Sequence, residues 1–591
     1  MNMSKNIARL AVTAGLTAAL SFGGVMAPVT VAFAEGVPTV AQSGNVTIKE
    51  SVYTDTTFKG IQIFKAKVTQ DKNGETWNGS KTLSDVEWAS DTVRDAVTGA
   101  FASSTADPKK PSGTDAQEWA EWINKKTKTE YTSGTDANTK LDAGTTLDEI
   151  AKALEDANIT EVTNGWKTST DGKFTDLNAG YWLFVTASVG ETANATAGNT
   201  DTFTSPIFAV VGGSDENVTP KKQVPTVTKA VKDDAEGATF GTDVFTNPNI
   251  SADSRMDQYI EYQLAGTVAS NINTYSTYNY SFTDKLPHSM TVKCDEGNSP
   301  VVKVKIDGKS VKADPANGYT TSYSDNVLTV SFADLKSCVD EKGQQINVSG
   351  SSNVTVEYEA KLDSTKIFDN GTIKEEFQGL VGKAQVNEVV LTYSNNPHAG
   401  GVGTTVEHPA YDYTYGIDIT KVGSDTGNPT LAGVEFTLQE GKSGKYIKSD
   451  GTLTATKDDA ILTTDSNGKI NVVGLDEGTY TLTEVTPAPG YNNSAANGVT
   501  FTIASDGLPT NGDSFTPGCT LAEGTDGNLV QASNATDGKV HLTVTDKKGS
   551  GLPLTGLNGV TFTWIAGGAV LCIGVAHLIR SRKQAEESEQ E

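Results

Sequence analysis

Residues 480–491 read YTLTEVTPAPGY, and the first seven of them alternate in the manner of a β-strand. Successive side chains of a strand point to opposite faces of the sheet, so Tyr480, Leu482 and Glu484 share one face. The tyrosine and the leucine make this the face that is directed toward a core. The carboxyl of Glu484 therefore ends an apolar row and also points inward, where an unpaired charge is costly.

Two other stretches repeat this pattern of an apolar row that ends in an ionisable residue. The rows are Ile417, Ile419 and Lys421 in one stretch and Val540, Leu542, Val544 and Asp546 in the other. A buried lysine and a buried carboxyl are each costly unless they meet. We therefore expect the side chains of Lys421, Glu484 and Asp546 to form one cluster inside a domain.

An earlier part of the chain carries the same arrangement with other residues. Its inward rows are Val227, Lys229 and Val231; Tyr280, Phe282 and Asp284; and Asn387, Val389, Leu391 and Tyr393. One interpretation is a buried salt bridge in each domain. The other is chemical: burial lowers the pKa of a lysine, which becomes a neutral nucleophile, while a carboxyl with a raised pKa shuttles protons. The product would be an amide between two side chains.

Composition limits the classes of function. The chain has 591 residues, 36% apolar and 20% charged, which allows three or four domains. Its 47 Lys and Arg against 73 Asp and Glu give a net charge of −26, which argues against a nucleic-acid binder. Five His and four Cys are widely spread without ligand spacing, so we expect no metal and no cofactor. Phosphate-loop, nucleophile-elbow and zinc signatures are absent from the sequence, so we expect no turnover enzyme.

The fold class follows from short alternating runs rich in Thr, Val, Gly, Asn and Tyr between residues 35 and 549. Frequent turn residues separate these runs, which predicts a mainly β protein with three tandem Ig-like β-sandwich domains. Turn-rich segments at 213–224 and 395–411 mark the expected boundaries.

The first domain is expected to carry helical insertions between its strands. Strands are predicted at 61–68 and 181–187, and a helix at 115–126 whose apolar stripe is Trp119, Trp122 and Ile123. A second helix is predicted from a capping-box pattern that begins at Thr146. We interpret the aromatic residues as core rather than as a ligand site.

The N-terminus has the features of a secretory signal. Lys5 and Arg9 precede an apolar run that closes with Ala32-Phe33-Ala34, so we expect a signal peptide at 1–34 that is cut after Ala34. The alternative is a buried N-terminal helix.

The C-terminus carries a short motif before an apolar span. The motif is Leu552, Pro553, Leu554, Thr555 and Gly556. Residues 557–579 are mostly apolar and would extend about 34 Å as a helix, enough to cross a membrane. Arg580, Arg582 and Lys583 follow and favour a cytoplasmic tail. A permanent membrane anchor is the alternative to processing at the motif.

This three-part ending resembles the LPxTG cell-wall sorting signal of Gram-positive surface proteins, which are sortase substrates. The resemblance implies that a sortase cysteine attacks the carbonyl of Thr555, releases the chain from Gly556 onward and transfers Thr555 to an amine. It also implies a precursor with a C-terminal transmembrane helix, held briefly in the membrane, and a secreted product anchored to peptidoglycan.

The segment at 480–491 resembles the E-box of the CnaB domains of pilins, with Lys421 in the place of their strand-opening lysine. The resemblance implies an isopeptide bond between Lys421 and Asp546, with Glu484 as the catalysing acid. Asp546 stands where many relatives have Asn, so that water rather than ammonia would be lost.

The middle region resembles CnaA-type pilin domains through Pro225-Thr226-Val227-Thr228-Lys229 and through Asn387, six residues before Tyr393. The resemblance implies an isopeptide bond between Lys229 and Asn387, with Asp284 as the catalysing acid. In the first domain no matching triplet is found, and no bond is expected there.

Residues 217–225 read NVTPKKQVP and resemble the pilin motif of backbone pilins, with Thr219 in the place of the usual aromatic residue. The resemblance implies that Lys221, with Lys222 as the fallback, is the amine that receives Thr555 of another subunit. A lysine beside Pro220 is held extended and accessible, as a nucleophile for an acyl-enzyme should be. The alternative is an ordinary solvated linker lysine.

As a whole the chain resembles a three-domain major pilin, the shaft subunit of a sortase-assembled fimbria. The implied regions are a signal peptide at 1–34, an N-terminal pilin domain at 35–222, a CnaA-like domain at 223–410, a CnaB-like domain with the E-box at 411–548, and the sorting signal, span and tail at 549–591. The implied partners are a pilus-specific sortase, identical subunits, accessory pilins, a peptidoglycan precursor and receptors on host or partner cells, with no nucleic acid. The alternative function is a monomeric wall-anchored adhesin or an accessory pilin.

Two cysteines of the middle domain, Cys294 and Cys338, are candidates for a disulfide formed after secretion. The alternative is a pair of free buried thiols.

Overall fold

A computed structural model describes residues 36–48, 56–130, 141–160, 164–191, 198–220, 223–534 and 537–549. Several predictions from the sequence lie outside these residues: the signal peptide, Lys221 and Lys222, the motif Leu552–Gly556 and the apolar span at 557–579. Within the described ranges, the structure contains no helix of the length and apolarity needed to span a membrane.

The first region has one large and one small sheet. Its strands are β1 Val37–Ala41, β2 Ser43–Ile48, β3 Thr57–Asn73, β4 Thr76–Trp88, β5 Lys167–Thr168, β6 Lys173–Asn178, β7 Gly180–Ser188, β8 Ile207–Val211 and β9 Glu216–Val218. The large sheet has the order β1-β3-β7-β8, with β4 and β5 also paired to β3, and the small one the order β6-β2-β9. Three helices, α1 Asp91–Ala100, α2 Ala116–Glu130 and α3 Thr146–Asp156, are inserted between β4 and β5.

The predicted strands of this region lie within β3 and β7, and the predicted helix at 115–126 overlaps α2. Trp119, Trp122 and Ile123 are buried in the core, as interpreted. The capping box predicted at Thr146 is wrong. Thr145 precedes the helix, and the Thr146 hydroxyl instead donates a hydrogen bond to Oε1 of Glu130 at 2.7 Å.

The middle region is a sandwich of two larger sheets. Its strands are β10 Val227–Lys232, β11 Gly241–Asp243, β12 Asn247–Pro248, β13 Ser251–Asp253, β14 Ile260–Thr267, β15 Tyr280–Lys285, β16 Met290–Val292, β17 Val302–Ile306, β18 Lys309–Ser310, β19 Thr320–Ser324, β20 Val327–Phe332, β21 Asn353–Leu362, β22 Phe368–Asp369, β23 Thr372–Ile373, β24 Gln385–Ser394, β25 Val402–Thr404 and β26 His408–Tyr413, with the short helix α4 at Ser364–Ile367. One sheet has the order β10-β14-β21-β17-β18 and the other β13-β26-β24-β15-β20-β19. The domain boundary predicted after residue 410 falls inside β26, which pairs with β24 as far as Asp412.

The C-terminal region is a second two-sheet sandwich. Its strands are β27 Tyr415–Gly423, β28 Glu435–Glu440, β29 Tyr446–Ile447, β30 Leu453–Thr454, β31 Leu462–Thr463, β32 Lys469–Leu475, β33 Gly478–Thr486, β34 Val499–Ala504, β35 Gly518–Leu521, β36 Val530–Asn534 and β37 Lys539–Asp546. The sheets have the orders β32-β27-β37-β36 and β30-β29-β28-β33-β34-β35. The fold is thus mainly β, with tandem β-sandwiches, as predicted.

Alternation of side chains along these strands builds the cores. In β21 every second residue from Val354 to Leu362 is buried, and in β37 every second residue from Val540 to Asp546. The same alternation carries an ionisable group inward at Asp546 of β37, and Lys229 of β10 and Lys421 of β27 are buried as well.

Candidate functional site

The first cluster lies in the C-terminal sandwich and joins its first and last strands. β27 and β37 are parallel neighbours, with Gly423 opposite Asp546, so Lys421 and Asp546 lie two positions apart on one face. Glu484 projects from β33 of the facing sheet. The three side chains predicted to meet are therefore brought together from both sheets.

Contacts in this cluster are direct. Nζ of Lys421 lies 2.5 Å from Oδ1 of Asp546 and 3.2 Å from Oε2 of Glu484, and all three side chains are fully buried. The backbone N–H of Ser494 donates to Oδ1 of Asp546 at 3.0 Å. Oε1 of Glu484 and Oδ2 of Asp546 have no hydrogen-bond partner in the structure.

Burial sets the protonation of the acid in this cluster. It raises the pKa of Glu484 to about 7, while the positive charge of Lys421 opposes that rise and the carboxyl of Asp546 adds to it. Glu484 is therefore able to hold or release a proton near neutral pH, which is the property of a general acid or base.

The second cluster lies between the two sheets of the middle sandwich. Lys229 projects from β10 of one sheet, and Asp284 and Asn387 project from β15 and β24 of the other. In the antiparallel pair of β15 and β24, Asp284 stands opposite Val389, two residues from Asn387, which places the acid and the amide on one face. These three residues, too, are brought together as predicted.

In this cluster a tyrosine stands between the predicted partners. Nζ of Lys229 contacts Oδ1 of Asp284 directly and lies 3.1 Å from the hydroxyl of Tyr358. Nδ2 of Asn387 donates to the same hydroxyl at 2.8 Å, whereas Oδ1 of Asn387 has no hydrogen-bond partner. The side chains of Lys229 and Asp284 are fully buried, and Asn387 is 0% exposed.

The surroundings of Lys229 in the middle cluster favour the neutral form of its amine, compared with the amine of an exposed lysine. Burial lowers the pKa of Lys229 to about 8, and the charge of Asp284 opposes that shift. Burial likewise raises the pKa of Asp284. Both shifts favour the neutral pair, an amine on Lys229 and a carboxylic acid on Asp284, and a neutral amine is a nucleophile.

The sequence reasoning missed Tyr358. Its place in the inward row of β21, between Val356 and Ala360, could have been read from period two. An aromatic residue in such a row is ordinarily core, however, and only the spatial arrangement shows its hydroxyl meeting the cluster.

The predicted disulfide between Cys294 and Cys338 is wrong, because both are free thiols. Sγ of Cys294 lies 3.6 Å from the carbonyl oxygen of Val292, and Sγ of Cys338 lies 3.9 Å from that of Gly318. Burial raises the pKa of Cys338 to about 12, so it stays protonated and unreactive. The structure thus has two free thiols, of which Cys338 is buried and Cys294 half-buried.

Among the described residues, Asp418, Asp537 and His541 place donor atoms within 4.8 Å of one another. Nζ of Lys539 lies 3.4 Å from Oδ1 of Asp418, and its positive charge opposes a cation there. We assign no metal to this group.

Comparison with known families covers part of the C-terminal sandwich. Residues 416–515 match the family model SpaA, described as a prealbumin-like fold domain. The match includes Lys421 and Glu484 and ends before Asp546. By sequence, therefore, residues 416–515 are similar to the prealbumin-like fold domain of the SpaA model. A comparison with curated proteins gave no match.

Solved structures with a similar arrangement include several pilins. A backbone pilin of Streptococcus pyogenes with a modular three-domain structure is 14% identical, with 86% of this chain and 98% of that chain covered and a TM-score of 0.46. The major pilin SpaD of Corynebacterium diphtheriae is 14% identical, with the same coverage and a TM-score of 0.39. A pilus backbone protein of group B streptococcus is 20% identical over 50% of this chain and 96% of that chain, with a TM-score of 0.34.

Proposed function

We propose that this protein is a structural subunit of a covalently polymerised surface fibre, the shaft of a pilus. A sortase joins Thr555 of one subunit to Lys221 of the next, and this head-to-tail contact propagates because it does not close. The observation that carries the proposal is the fully buried contact of Lys421 with Asp546 beside Glu484. The SpaA match over 416–515 and the LPLTG motif support it from the sequence.

Two internal isopeptide bonds cross-link each subunit. In the C-terminal domain the neutral amine of Lys421 attacks Cγ of Asp546, an N–C bond forms, and one water leaves. In the middle domain Lys229 attacks Cγ of Asn387 and one ammonia leaves. Glu484 and Asp284 take the proton from the amine and supply one to the leaving group. Each reaction happens once and consumes its own residues, so the protein is not a turnover enzyme.

Surface attachment follows from the same chemistry. The last subunit of a fibre is transferred to a peptidoglycan precursor, so the fibre is anchored in the cell wall. Accessory pilins join through the same sortase, and adhesion to host or partner cells takes place along or at the tip of the shaft.

The experiment that tests this function replaces the acceptor lysine. Lys221→Ala, and Lys221→Ala combined with Lys222→Ala, are expressed in the native cell, and wall extracts are examined for a ladder of high-mass species. We expect at least the double variant to lose the ladder and leave wall-anchored monomer, because the amine that accepts Thr555 is gone.

A matched control exists in the same domain. Lys109 and Lys110 also follow a proline, Pro108, and Lys109 is exposed, so a double Ala substitution there should leave the ladder intact. An unchanged ladder in the Lys221 and Lys222 double variant would reject the shaft and favour a wall-anchored adhesin.

A further inference from the structure

The hydroxyl of Tyr358 is the meeting point of the middle cluster. It accepts from Nδ2 of Asn387 at 2.8 Å, lies 3.1 Å from Nζ of Lys229, and donates to Oδ2 of Asp284. Tyr358 is 3% exposed, so water has little access to this point. Of the groups that touch it, one is the attacking nitrogen, one the leaving nitrogen and one the acid.

We propose that Tyr358 is a further catalytic residue of the middle domain, whose hydroxyl carries a proton from Asp284 to the amide nitrogen of Asn387 as the internal bond forms. This inference rests on the Lys229–Asn387 bond proposed above. It adds a group that the lysine, acid and amide pattern of the sequence did not contain.

The two carboxyl oxygens of Asp284 face different partners. Oδ1 of Asp284 faces Nζ of Lys229, whereas Oδ2 faces the hydroxyl of Tyr358. The hydroxyl, and not the carboxyl, contacts Nδ2 of Asn387. A proton taken from the lysine at Oδ1 reaches the tyrosine, and through it the leaving nitrogen, once the carboxyl turns about its Cβ–Cγ bond and brings the protonated oxygen to the hydroxyl.

The step balances as follows. Nζ of Lys229 gives a proton to Asp284, and its free electron pair attacks Cγ of Asn387, with the carbonyl electrons moving to Oδ1. Tyr358 turns its hydroxyl toward Nδ2, gives up its proton there and takes one from Asp284. The Cγ–Nδ2 bond breaks, ammonia leaves, the carbonyl re-forms, and Asp284 receives the second proton of Nζ. The tyrosine ends unchanged.

The burial of Tyr358 favours a hydroxyl that passes a proton on over a tyrosinate that stays deprotonated. Burial and the neighbouring Asp284 carboxyl raise the pKa of Tyr358 well above its usual range, so the hydroxyl does not stay deprotonated. The hydroxyl gives its proton to Asn387 and takes another from Asp284 while both residues stay in contact with it.

The bond proposed for the C-terminal cluster does not use a tyrosine hydroxyl. Nζ of Lys421 lies 5.8 Å from the centroid of the Phe436 ring, which carries no hydroxyl. There Glu484 and Asp546 both contact the amine directly, and the leaving group is a carboxyl oxygen. The middle domain needs a relay because its acid faces the amine while the leaving nitrogen contacts the tyrosine.

The test compares rates of bond formation in the full chain. Wild type, Tyr358→Phe and Asp284→Ala are made by cell-free translation, synthesis is stopped, and the peptide that joins Lys229 to Asn387 is quantified over time by mass spectrometry. We expect Tyr358→Phe to slow the bond by about 100-fold, the scale of one acid–base group, and Asp284→Ala to abolish it. The ring of Tyr262 stacks on Tyr358 with centroids 5.4 Å apart, and phenylalanine keeps that packing.

Tyr280→Phe is the matched control. Tyr280 is buried in the same core, but its hydroxyl donates to the carbonyl oxygen of Thr267 at 2.8 Å. This variant should form the bond at the wild-type rate. The Lys421–Asp546 bond and the thermal unfolding temperature of each variant report whether the chain has folded.

Two results would overturn the relay. One is a Tyr358→Phe chain that forms the bond within twofold of the wild-type rate. The other is an equal slowing by Tyr280→Phe, which would make the effect one of packing. A wild-type chain that never joins Lys229 to Asn387 would instead overturn the proposed bond itself, and the relay with it.

Discussion

At the scale of single residues, the balance of charge in the C-terminal cluster explains why burial is tolerated. One lysine and two carboxylates would leave a net negative charge in a dry interior, which is strongly unfavourable. A pKa raised to about 7 lets Glu484 hold a proton, which removes one of the two negative charges from the cluster. The same proton is the one that the proposed bond-forming reaction would use.

Glu484→Gln tests this double role. Gln keeps the size of the side chain but cannot take the proton from Lys421, so we expect no bond and an intact mass that shows no loss of this water from the variant's own calculated mass. The free energy of unfolding of the domain should fall by roughly 4 kcal/mol, the scale of a cross-link that closes a loop of more than about a hundred residues. Exposed Glu523→Gln is the control, which should lose the water from its own calculated mass and be as stable as wild type. A Glu484→Gln chain that still loses one water would exclude the acid.

The direction of single side chains was predictable because it depends only on period two. Lys229, Lys421, Glu484 and Asp546 point inward as expected, since each ends or lies within an apolar row. The role of Tyr358 was not predictable, because nothing along the sequence separates a core tyrosine from one whose hydroxyl meets a cluster. Distances between strands are set by packing and not by the local pattern.

At the scale of strands, the parallel pairing of β27 with β37 decides how force crosses the C-terminal domain. The chain enters the domain at β27 and leaves it after β37, so tension on the two ends shears this pair. A bond from Lys421 to Asp546 would carry that tension across from strand to strand. The segment between these two residues would then bear no load.

A single-molecule pulling experiment tests this load path. Lys421→Ala removes the bond, and we expect the C-terminal domain to extend under force by roughly 400 Å or more, at about 3.3–3.6 Å per residue. The wild-type domain should show no such step. Lys229→Ala is the control, because it removes the bond of the middle domain alone. A wild-type chain that extends like the Lys421→Ala chain would refute the load path.

The strands of this protein were easier to predict than its helices. Helix α1 was not predicted although Val93 and Val97 form its buried stripe, because its β-branched valines and two threonines weaken the helical pattern. Its start depends on Ser90, whose side chain accepts from the backbone N–H of Val93 at 3.2 Å. At α3, Glu130 of the neighbouring helix replaces the local cap that the sequence predicted, and such a distant contact cannot be read from a four-residue pattern.

At the scale of the whole molecule, a histidine joins the first region to the middle one. His398 lies between β24 and β25, and its Nε2 lies 3.2 Å from Oδ1 of Asp148 while Nδ1 contacts Glu155, both on α3. The side chains of His398 and Asp148 are 3% and 0% exposed. Lys152 neutralises part of the acidic charge, since its Nζ lies 2.7 Å from Oδ2 of Asp148.

This contact makes the junction sensitive to pH. Burial by itself would lower the pKa of His398, but hydrogen bonds with Asp148 and Glu155 outweigh it and raise the pKa to about 9. The pKa in the folded protein is thus above the usual 6.5, so the stabilisation is complete below about pH 6.5 and is lost as the pH rises through about 9. A rise of the His398 pKa from 6.5 to about 9 corresponds to about 3 kcal/mol of folding stability at low pH.

We therefore expect the wild-type chain to lose more stability between pH 6.5 and 9.5 than His398→Gln does. Glutamine cannot carry the positive charge, so its variant should start less stable and change less over this range. Thermal unfolding of both chains at each pH measures the difference, and His288→Gln, at an exposed histidine of the middle region, should follow the wild-type curve. Other groups that titrate in this range act equally in all three chains and cancel. If wild type and His398→Gln had parallel curves, the histidine would be neutral in the junction, and the joint between the first two domains would not depend on its charge.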